Sequence, residues 1–573
     1  MSRSNTCRRA LALGVLIAFL VVAGPPILGQ SAGFTPASAT PRQVRDLRVN
    51  NFILMIPDGM GTAHATLGRW YKFIKTGDNR LVFDDLACGF VRTYWATGLI
   101  TDSAPAAAAM ATGFKTSASM VSVRPTKVTM PGVQALGEGE ANTPVATVLE
   151  AAKARGFAAG LVVTCEFPHA TPAGFSSHYI QRSAMDLLAE QQVYQGMDVV
   201  LGGGRKYLDP KSRKDKEDLV RVLQDRGYRY LTDPAELASA TESRIWGAFA
   251  ETSLARDLDR DPAKEPSLED MTKKALTVLS RNKKGFFLMI EGSQVDWGAH
   301  VNDPVGTASE ILAFEKAVAA VLAFARRDGH TAVIIAADHS TGGLSIGNPD
   351  VGDLPLERFA GAMSKPTATP TKTAAVILAD PQPAMDKARL AVASLLGIDD
   401  WKPAEIPEFE SLLQEKNAKK LEIFLARALS RRAGVGWVFT GHGGEDVGLY
   451  GYHPRGPRLS GVVQNSDIAL YIEMCLGLDL KGQTADRFVR ADAAFGPVGA
   501  ELTVDVGDSE NPVLVATAKG RSLRLPVNKS AALLDGRPVE LDGVVVCTSV
   551  IGGKSAPEPK YWFVPRRAAA LLK

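Results

Sequence analysis

An α/β architecture, with a doubly wound, mostly parallel central sheet and helices on both faces, is predicted by three features of the sequence. Six short apolar runs, at residues 52–56, 160–164, 199–201, 286–290, 332–336 and 436–439, carry almost no polar residue, as strands covered on both faces require. Helical stretches alternate with them, the rhythm of strand–helix–strand units. Past Gly499 that rhythm stops. Residues 501–506, 513–518, 523–527 and 543–548 read as strands joined by turns, so 499–573 forms a small β-rich C-terminal module of about 75 residues.

Taken from the N-terminus, residues 1–39 read as an export leader, a signal peptide. Arg3, Arg8 and Arg9 precede an apolar run over residues 10–24, which has signal-peptide length and is short for a membrane span. Ala37-Ser38-Ala39 offers a cleavage site beyond the run. An uncleaved single-span anchor is the alternative, and Arg8-Arg9 is also compatible with twin-arginine export. The mature chain is expected to have no membrane span and to be periplasmic or extracellular. The net charge of the 573 residues is +3, with 65 Lys and Arg against 62 Asp and Glu, and the leader's three arginines account for all of it. A neutral body lacks the basic excess of a nucleic-acid-binding face. Cys88, Cys165, Cys475 and Cys547 follow the leader without a CxxC cluster. They make a thiolate metal site a poor reading, and their spacing selects no disulfide pairing.

Residues 40–498 carry the α/β pattern. The densely charged stretch 205–221 reads as a solvated loop and helix. Residues from about 343 to 432 interrupt the rhythm as an insertion, with a Pro/Thr-rich tract at 365–372 and helices at 385–396 and 410–432.

Ligands of open α/β sheets bind at the C-terminal ends of the strands, so those ends locate the chemistry. Run 52–56 leads into Asp58-Gly59-Met60-Gly61, and run 160–164 leads to His169-Ala170-Thr171-Pro172. Run 286–290 continues into Glu291, Asp296, Trp297 and His300, run 332–336 into Asp338-His339-Ser340-Thr341-Gly342-Gly343, and run 436–439 into His442-Gly443-Gly444-Glu445-Asp446. Four of the eight histidines therefore gather with acids at one sheet edge. Singly each has a bland reading as a cap, a core histidine or a surface acid; five together do not. Carboxylate oxygen with imidazole nitrogen suits Zn²⁺, and Asp296 and His300, four apart, share one face of a helical turn.

Ser103, in Thr101-Asp102-Ser103-Ala104-Pro105, is the candidate nucleophile. It precedes an alanine-rich helix whose N-terminus favours an anion. No histidine lies near it in the chain, and a metal ion is the other means of activating a serine. Anywhere else an N-capping role would be the default.

The motifs Asp58-Gly-Met-Gly, Asp102-Ser103-Ala, His169-Ala-Thr171-Pro, Glu291…Asp296…His300, Asp338-His339-Ser-Thr-Gly-Gly and His442-Gly-Gly-Glu445-Asp446, in this order over about residues 50–495, resemble those of alkaline phosphatases. The resemblance implies two Zn²⁺ ions, one on Asp296, His300 and His442 and one on Asp58, Asp338 and His339. It implies a third ion, usually Mg²⁺, on Glu291, Thr171, His169 and a shared Asp58 oxygen. Arg182, eleven residues after Thr171, stands at the family's spacing for the arginine that clamps phosphate, and Asp102 is placed to orient it. The implied reaction is hydrolysis of small-molecule phosphate monoesters in two in-line steps through a phosphoserine on Ser103. Three dications and one arginine against four carboxylates and an alkoxide leave two positive charges, which a phosphomonoester dianion matches. A homodimer is compatible with the resemblance.

Two positions depart from the best-studied bacterial pattern: His169 replaces an aspartate and Trp297 a lysine. Losing a charged hard oxygen predicts weaker Mg²⁺ binding and a place for a transition metal such as Co²⁺. His64, His178, His330 and His453 read as surface or structural. A phosphodiesterase of the same superfamily is the runner-up, although diesterases generally lack the third-metal ligands. A sulfatase is disfavoured because Ala106-Ala107 follow Ser103-Ala104-Pro105 where an arginine is needed. A non-catalytic metal- or phosphate-binding protein would need neither Ser103 nor Arg182.

Overall fold

The computed structural model describes residues 34–552 and 556–573, so the apolar run 10–24 lies outside the described residues. Ten strands build the central sheet: β1 (Asn51–Pro57), β2 (Ala87–Arg92), β3 (Ala158–Glu166), β4 (Val199–Gly203), β5 (Arg229–Leu231), β6 (Ile245–Ala248), β7 (Phe286–Gly292), β8 (Thr331–Ala336), β9 (Val447–Tyr452) and β10 (Gly461–Gln464). Their order is β10-β2-β9-β8-β1-β7-β3-β4-β6-β5, and β9 alone runs antiparallel to its neighbours. Every residue of β1, β4, β7 and β8 is buried, because helices cover both faces and leave no side of these strands to water. The longest flanking helix, Pro304–Asp328, starts on an Asp303 cap that accepts the Val305 and Gly306 amides.

Four strands that end in candidate ligands, β8, β1, β7 and β3, are consecutive in this order. Register then aligns their ends: Ile56 of β1 lies opposite Glu291 of β7, and Val163 of β3 opposite the same Glu291. The fifth expected strand, over 436–439, is not there. Only Val435–Gly436 pairs, with Ser345–Ile346, and Val438 is 78% exposed. The run is apolar but belongs to a surface loop. His442 instead arrives on a two-residue strand antiparallel to Ser340–Thr341, with His442 opposite Thr341.

Helices Leu356–Met363, Pro370–Leu378, Met385–Leu396, Glu405–Glu415 and Ala418–Ala433 gather around a second apolar core centred on Phe409, Phe424 and Leu425. The single helix expected over 410–432 is two helices. Lys416 adopts a left-handed backbone (φ 53°) and the Asn417 side chain caps the second one. In the charged stretch 205–221, Arg213 is fully buried rather than solvated, paired with Asp215 and donating to the Asp186 and Tyr207 carbonyls.

Beyond Glu501 an antiparallel five-stranded sheet runs in simple sequence order, and Val489–Arg490, Val546–Cys547 and Trp562–Val564 form a second small sheet. Phe34, inside the stretch read as leader, is buried edge-on against Tyr471, and its backbone pairs with Ser460. Cys88, Cys165, Cys475 and Cys547 are unpaired. Among the described residues, no helix is long and apolar enough to cross a membrane.

Candidate active site

Ser103 opens helix Ser103–Thr112, all ten residues of which are buried, and it is itself 2% exposed. The cap is Asp102. Its Oδ1 accepts the Ala104 amide at 2.9 Å and its Oδ2 accepts the Ser119 amide at 3.2 Å. Small residues let this helix lie almost in contact with helix Ala170–Ser176: a Cβ on Gly174 would stand 2.8 Å from that of Ala107. Ser103 and His169-Ala170-Thr171 are thereby locked together. Arg182 bridges the same two helices, with Nη1 donating to Asp102 Oδ1 at 3.1 Å and Nη2 lying 3.3 Å from His169 Nε2.

The fold supplies the neighbour that Ser103 lacks in sequence: His339 Nε2 lies 3.3 Å from its Oγ. That nitrogen also lies 3.4 Å from Asp338 Oδ2 and 3.6 Å from Asp58 Oδ1, and Asp58, Asp338 and His339 are all buried with their donor atoms within 4.8 Å of one another. Gly59 makes the approach possible. Its φ is +74° and a Cβ there would strike Asp296 Cα at 2.8 Å, while its amide donates to Asp338 Oδ1 at 3.2 Å.

Asp296, His300 and His442 form a second group within the same 4.8 Å limit. His300 Nδ1 faces the Thr440 carbonyl at 2.6 Å and His442 Nδ1 faces the Thr101 carbonyl at 3.0 Å. A carbonyl only accepts, so both Nδ1 atoms carry protons and, in the neutral rings, both Nε2 lone pairs are free. The two Nε2 atoms are 3.1 Å apart, and Asp296 Oδ2 is 3.1 Å from that of His300. Such convergence is repulsive without a cation or a proton between the rings. Burial, reinforced by His339, lowers the His442 pKa to about 4. On His300, Asp296 more than offsets burial and raises it.

Glu291 lies beside Asp58, and His169 and Thr171 open the helix that packs against that of Ser103. Six buried atoms here have no hydrogen-bond partner: both Asp58 carboxylate oxygens, Asp338 Oδ2, Glu291 Oε1, Thr171 Oγ1 and His169 Nδ1. Buried polar atoms are normally paired, so the five orphaned oxygens mark a place built for cations. Burial, then Asp338, raises Glu291 to about 7; burial, then the charges of Asp338, Asp296 and Glu291, pushes Asp58 well above the carboxylate range. Dications would remove that repulsion, and the oxygen and nitrogen donor sets fit them. His169 is the exception in kind. Burial, then Arg182, lowers its pKa to about 3, and its Nε2 is engaged by Arg182.

Two of the three predicted donor sets thus converge, with Ser103 against one of them and Arg182 joining Asp102 to His169. One contributor escaped sequence reasoning. Thr341 Oγ1 donates to Asp296 Oδ1 at 2.5 Å and lies 3.3 Å from His339 Nδ1, so one hydroxyl orients two candidate ligands. Its place in Asp338-His339-Ser340-Thr341 was the available signal. Of the two readings offered for His64, surface or structural, it takes the structural one: its Nδ1 accepts the Gly61 amide at 3.1 Å, its Nε2 is buried without a partner, and burial lowers its pKa to about 4.

A family model described as alkaline phosphatase matches residues 49–478, ending before the C-terminal strands. Alkaline phosphatase 4 of Bacillus subtilis (strain 168) is 36% identical over 451 residues, covering 76% of this chain and 89% of that protein. Alkaline phosphatase 3 of the same organism is 34% identical over 449 residues, covering 76% of this chain and 90% of that one. Among solved structures, a cold-active alkaline phosphatase from a psychrophilic Shewanella species superposes with a TM-score of 0.64 at 32% identity, covering 74% of this chain and 98% of that one.

Proposed function

The chain belongs to the alkaline phosphatase family and is a metal-dependent phosphomonoesterase, and from that premise we propose that it hydrolyses phosphate monoesters through a phosphoserine on Ser103. The observation that carries this reading is the setting of Ser103 Oγ: buried at a helix N-terminus, 3.3 Å from His339, with the Arg182–Asp102 pair on one side and two three-donor clusters on the other.

Asp296, His300 and His442 would hold one zinc, and Asp58, Asp338 and His339 the second. Glu291, Thr171, His169 and a shared Asp58 oxygen would hold a third ion, Mg²⁺ or a transition metal such as Co²⁺. Bound there, the cations would supply Lewis-acid stabilisation of the oxygens at phosphorus and a nucleophile at neutral pH. The chain's own groups do the rest. Ser103 Oγ attacks phosphorus in line and the alcohol departs; water then cleaves the phosphoserine and restores the hydroxyl. The helix dipole favours negative charge on Oγ. Asp102 aims Arg182, whose planar fork binds two phosphate oxygens and fixes the ester for in-line attack.

The test compares p-nitrophenyl phosphate with bis-p-nitrophenyl phosphate, with and without chelator, and acid-quenches a ³²P-phosphate reaction to find the labelled residue. Label on Ser103 and chelator-sensitive monoester turnover are expected. A diester rate above the monoester rate would favour the phosphodiesterase reading, and chelator-insensitive turnover would sink the metal assignment.

His169 yields a separate expectation. With Nε2 accepting from Arg182, the ring's proton lies on Nδ1, so a cation must compete with the clamp for the ring's one lone pair. His169→Asp restores an anionic oxygen and is expected to tighten Mg²⁺ binding to the chelated protein by about tenfold in calorimetry. Equal affinities would refute it.

We divide the chain into a leader, a catalytic domain to about residue 498 with an insertion near 343–432, and a β-rich C-terminal module, the leader directing it to the periplasm or the medium. A cut after Ala39 would remove the buried Phe34 from against Tyr471, so the leader is placed ahead of Phe34, ending among the small residues of 29–33. N-terminal sequencing of the exported protein checks this; a mature chain starting at Thr40 would contradict it.

A further inference from the structure

Arg182 lies in residues 177–184, an irregular segment between helices Ala170–Ser176 and Met185–Tyr194. At its start the catalytic domain holds it firmly: Ser177 Oγ donates to the Leu188 carbonyl, and the fully buried His178 ring meets the Ser122 carbonyl at 2.9 Å and Glu150 at 3.1 Å. Nearer the arginine its backbone ties are the isolated Val121–Tyr179 bridge and the Arg182 amide on the Ser119 carbonyl at 2.8 Å. Turns of the C-terminal segment hold it at both ends. Upstream of the arginine, the buried Tyr179 hydroxyl donates to the Ser549 carbonyl at 3.3 Å and accepts the Ile551 amide at 3.3 Å. Ile551 also packs against the small cluster of Ala104, Val121, Ala170 and Tyr179, which includes the neighbours in sequence of Ser103 and His169.

Downstream, Asn528 is fully buried on helix Met185–Tyr194. Its amide donates to Glu190 Oε2 at 2.9 Å and its carbonyl accepts Gln191 Nε2 at 3.0 Å. Gln191 in turn clasps the backbone of His178, accepting its amide at 2.8 Å and donating to its carbonyl at 3.0 Å. Lys529 adds ion pairs to Glu190 at 3.2 Å and Glu217 at 2.8 Å. Both routes, Ser549–Ile551 to Tyr179 and Asn528 through Gln191 to His178, converge within four residues of Arg182.

We infer that the C-terminal β-rich segment is part of the phosphate clamp, with Tyr179 and Asn528 as positioning residues that hold the 177–184 segment so that the Arg182 guanidinium faces Ser103. The segment touches neither substrate nor reacting atoms. It acts through the Tyr179 hydroxyl, which takes both its partners from residues 549–551, and through Gln191, which Asn528 holds against the His178 backbone, so that distant contacts bear on transition-state geometry. The inference rests on Arg182 as the clamp.

The experiment uses the full, metal-loaded enzyme. Tyr179→Phe removes both hydrogen bonds and keeps the ring; Asn528→Ala breaks the second route. Inhibition by inorganic phosphate and the kcat and KM for p-nitrophenyl phosphate are measured for each, alone and with Arg182→Ala, with metal content checked by elemental analysis. Each substitution is expected to weaken phosphate inhibition by about three- to tenfold at unchanged metal content. Neither is expected to change it further once Arg182 is gone. Arg566→Ala, which breaks a different contact of the same segment, to Asp486, is expected to leave both constants unchanged. An unchanged phosphate constant in Tyr179→Phe, or the same loss with and without Arg182, overturns the inference. Should Asn528→Ala fail to fold, Tyr179→Phe decides alone. If Arg182→Ala itself leaves phosphate inhibition untouched, the clamp reading and this inference fall together. If it weakens inhibition and Tyr179→Phe does not, only the inference falls.

Discussion

Replacing Ser103 with alanine is expected to lower kcat/KM for p-nitrophenyl phosphate by about 10³-fold or more, while leaving metal content and melting temperature within error of the parent. The two halves of this expectation have separate causes. The hydroxyl is the only atom removed, and with it goes the covalent route, leaving direct attack by water with whatever help Arg182 and the bound cations still give. Stability is spared because the helix is capped by Asp102, not by Ser103, and because alanine extends a run already built of alanines. Asp102→Ala is the contrasting variant: it strips the cap, the Ser119 amide's acceptor and the partner of Arg182 together. Full activity in the Ser103 variant would remove the phosphoserine from the mechanism.

Chelation is expected to abolish turnover by more than about 10²-fold and to lower the melting temperature, because it leaves Asp58, Glu291 and Asp338 buried side by side. The sharper test is Asp58→Asn. Asp58 is completely buried, neither of its oxygens is hydrogen-bonded, and burial with three neighbouring acids pushes its pKa well up. An uncharged isostere relieves that repulsion. In chelated protein the variant should therefore melt higher than the parent, by about 1–2 °C for a chain of this size. In metal-loaded protein it should melt lower, since it lacks a ligand that both the second zinc and the third ion would share. Scanning fluorimetry with and without chelator reads both, and an unchanged rank order between the two states would count against the shared ligand.

The candidate site could be read from the sequence where strands are buried on both faces. β1, β3, β7 and β8 appear as bare apolar runs because water touches neither side, and the residues just past them are the candidate ligands. The same rule hid β2, β9 and β10. They lie toward one end of the sheet, only Val91 of β2 is fully covered, and their glycines and alternating exposure blur into loop. It also misplaced residues 436–439, where Val438 and Phe439 are apolar but exposed. Apolar composition reports burial only where the fold supplies a cover. The break at Lys416 and Asn417 was written in a known cap residue, but the periodic pattern on either side outweighed it. Contacts formed between distant segments, such as Thr341 to Asp296 or Asn528 to Gln191, have no local trace at all.

The adjacency of β8, β1, β7 and β3 bears on how the protein matures. Gly59 and Asp338, joined by a hydrogen bond, are 279 residues apart in the chain although their strands are sheet neighbours. Contacts this distant form late, because the loop entropy is lost before the pairing rewards it. A half-assembled sheet presents scattered acids and imidazoles rather than a chelating pocket. Ion capture by these donors would therefore report that assembly is finished, with bound cations tying the four strand ends together.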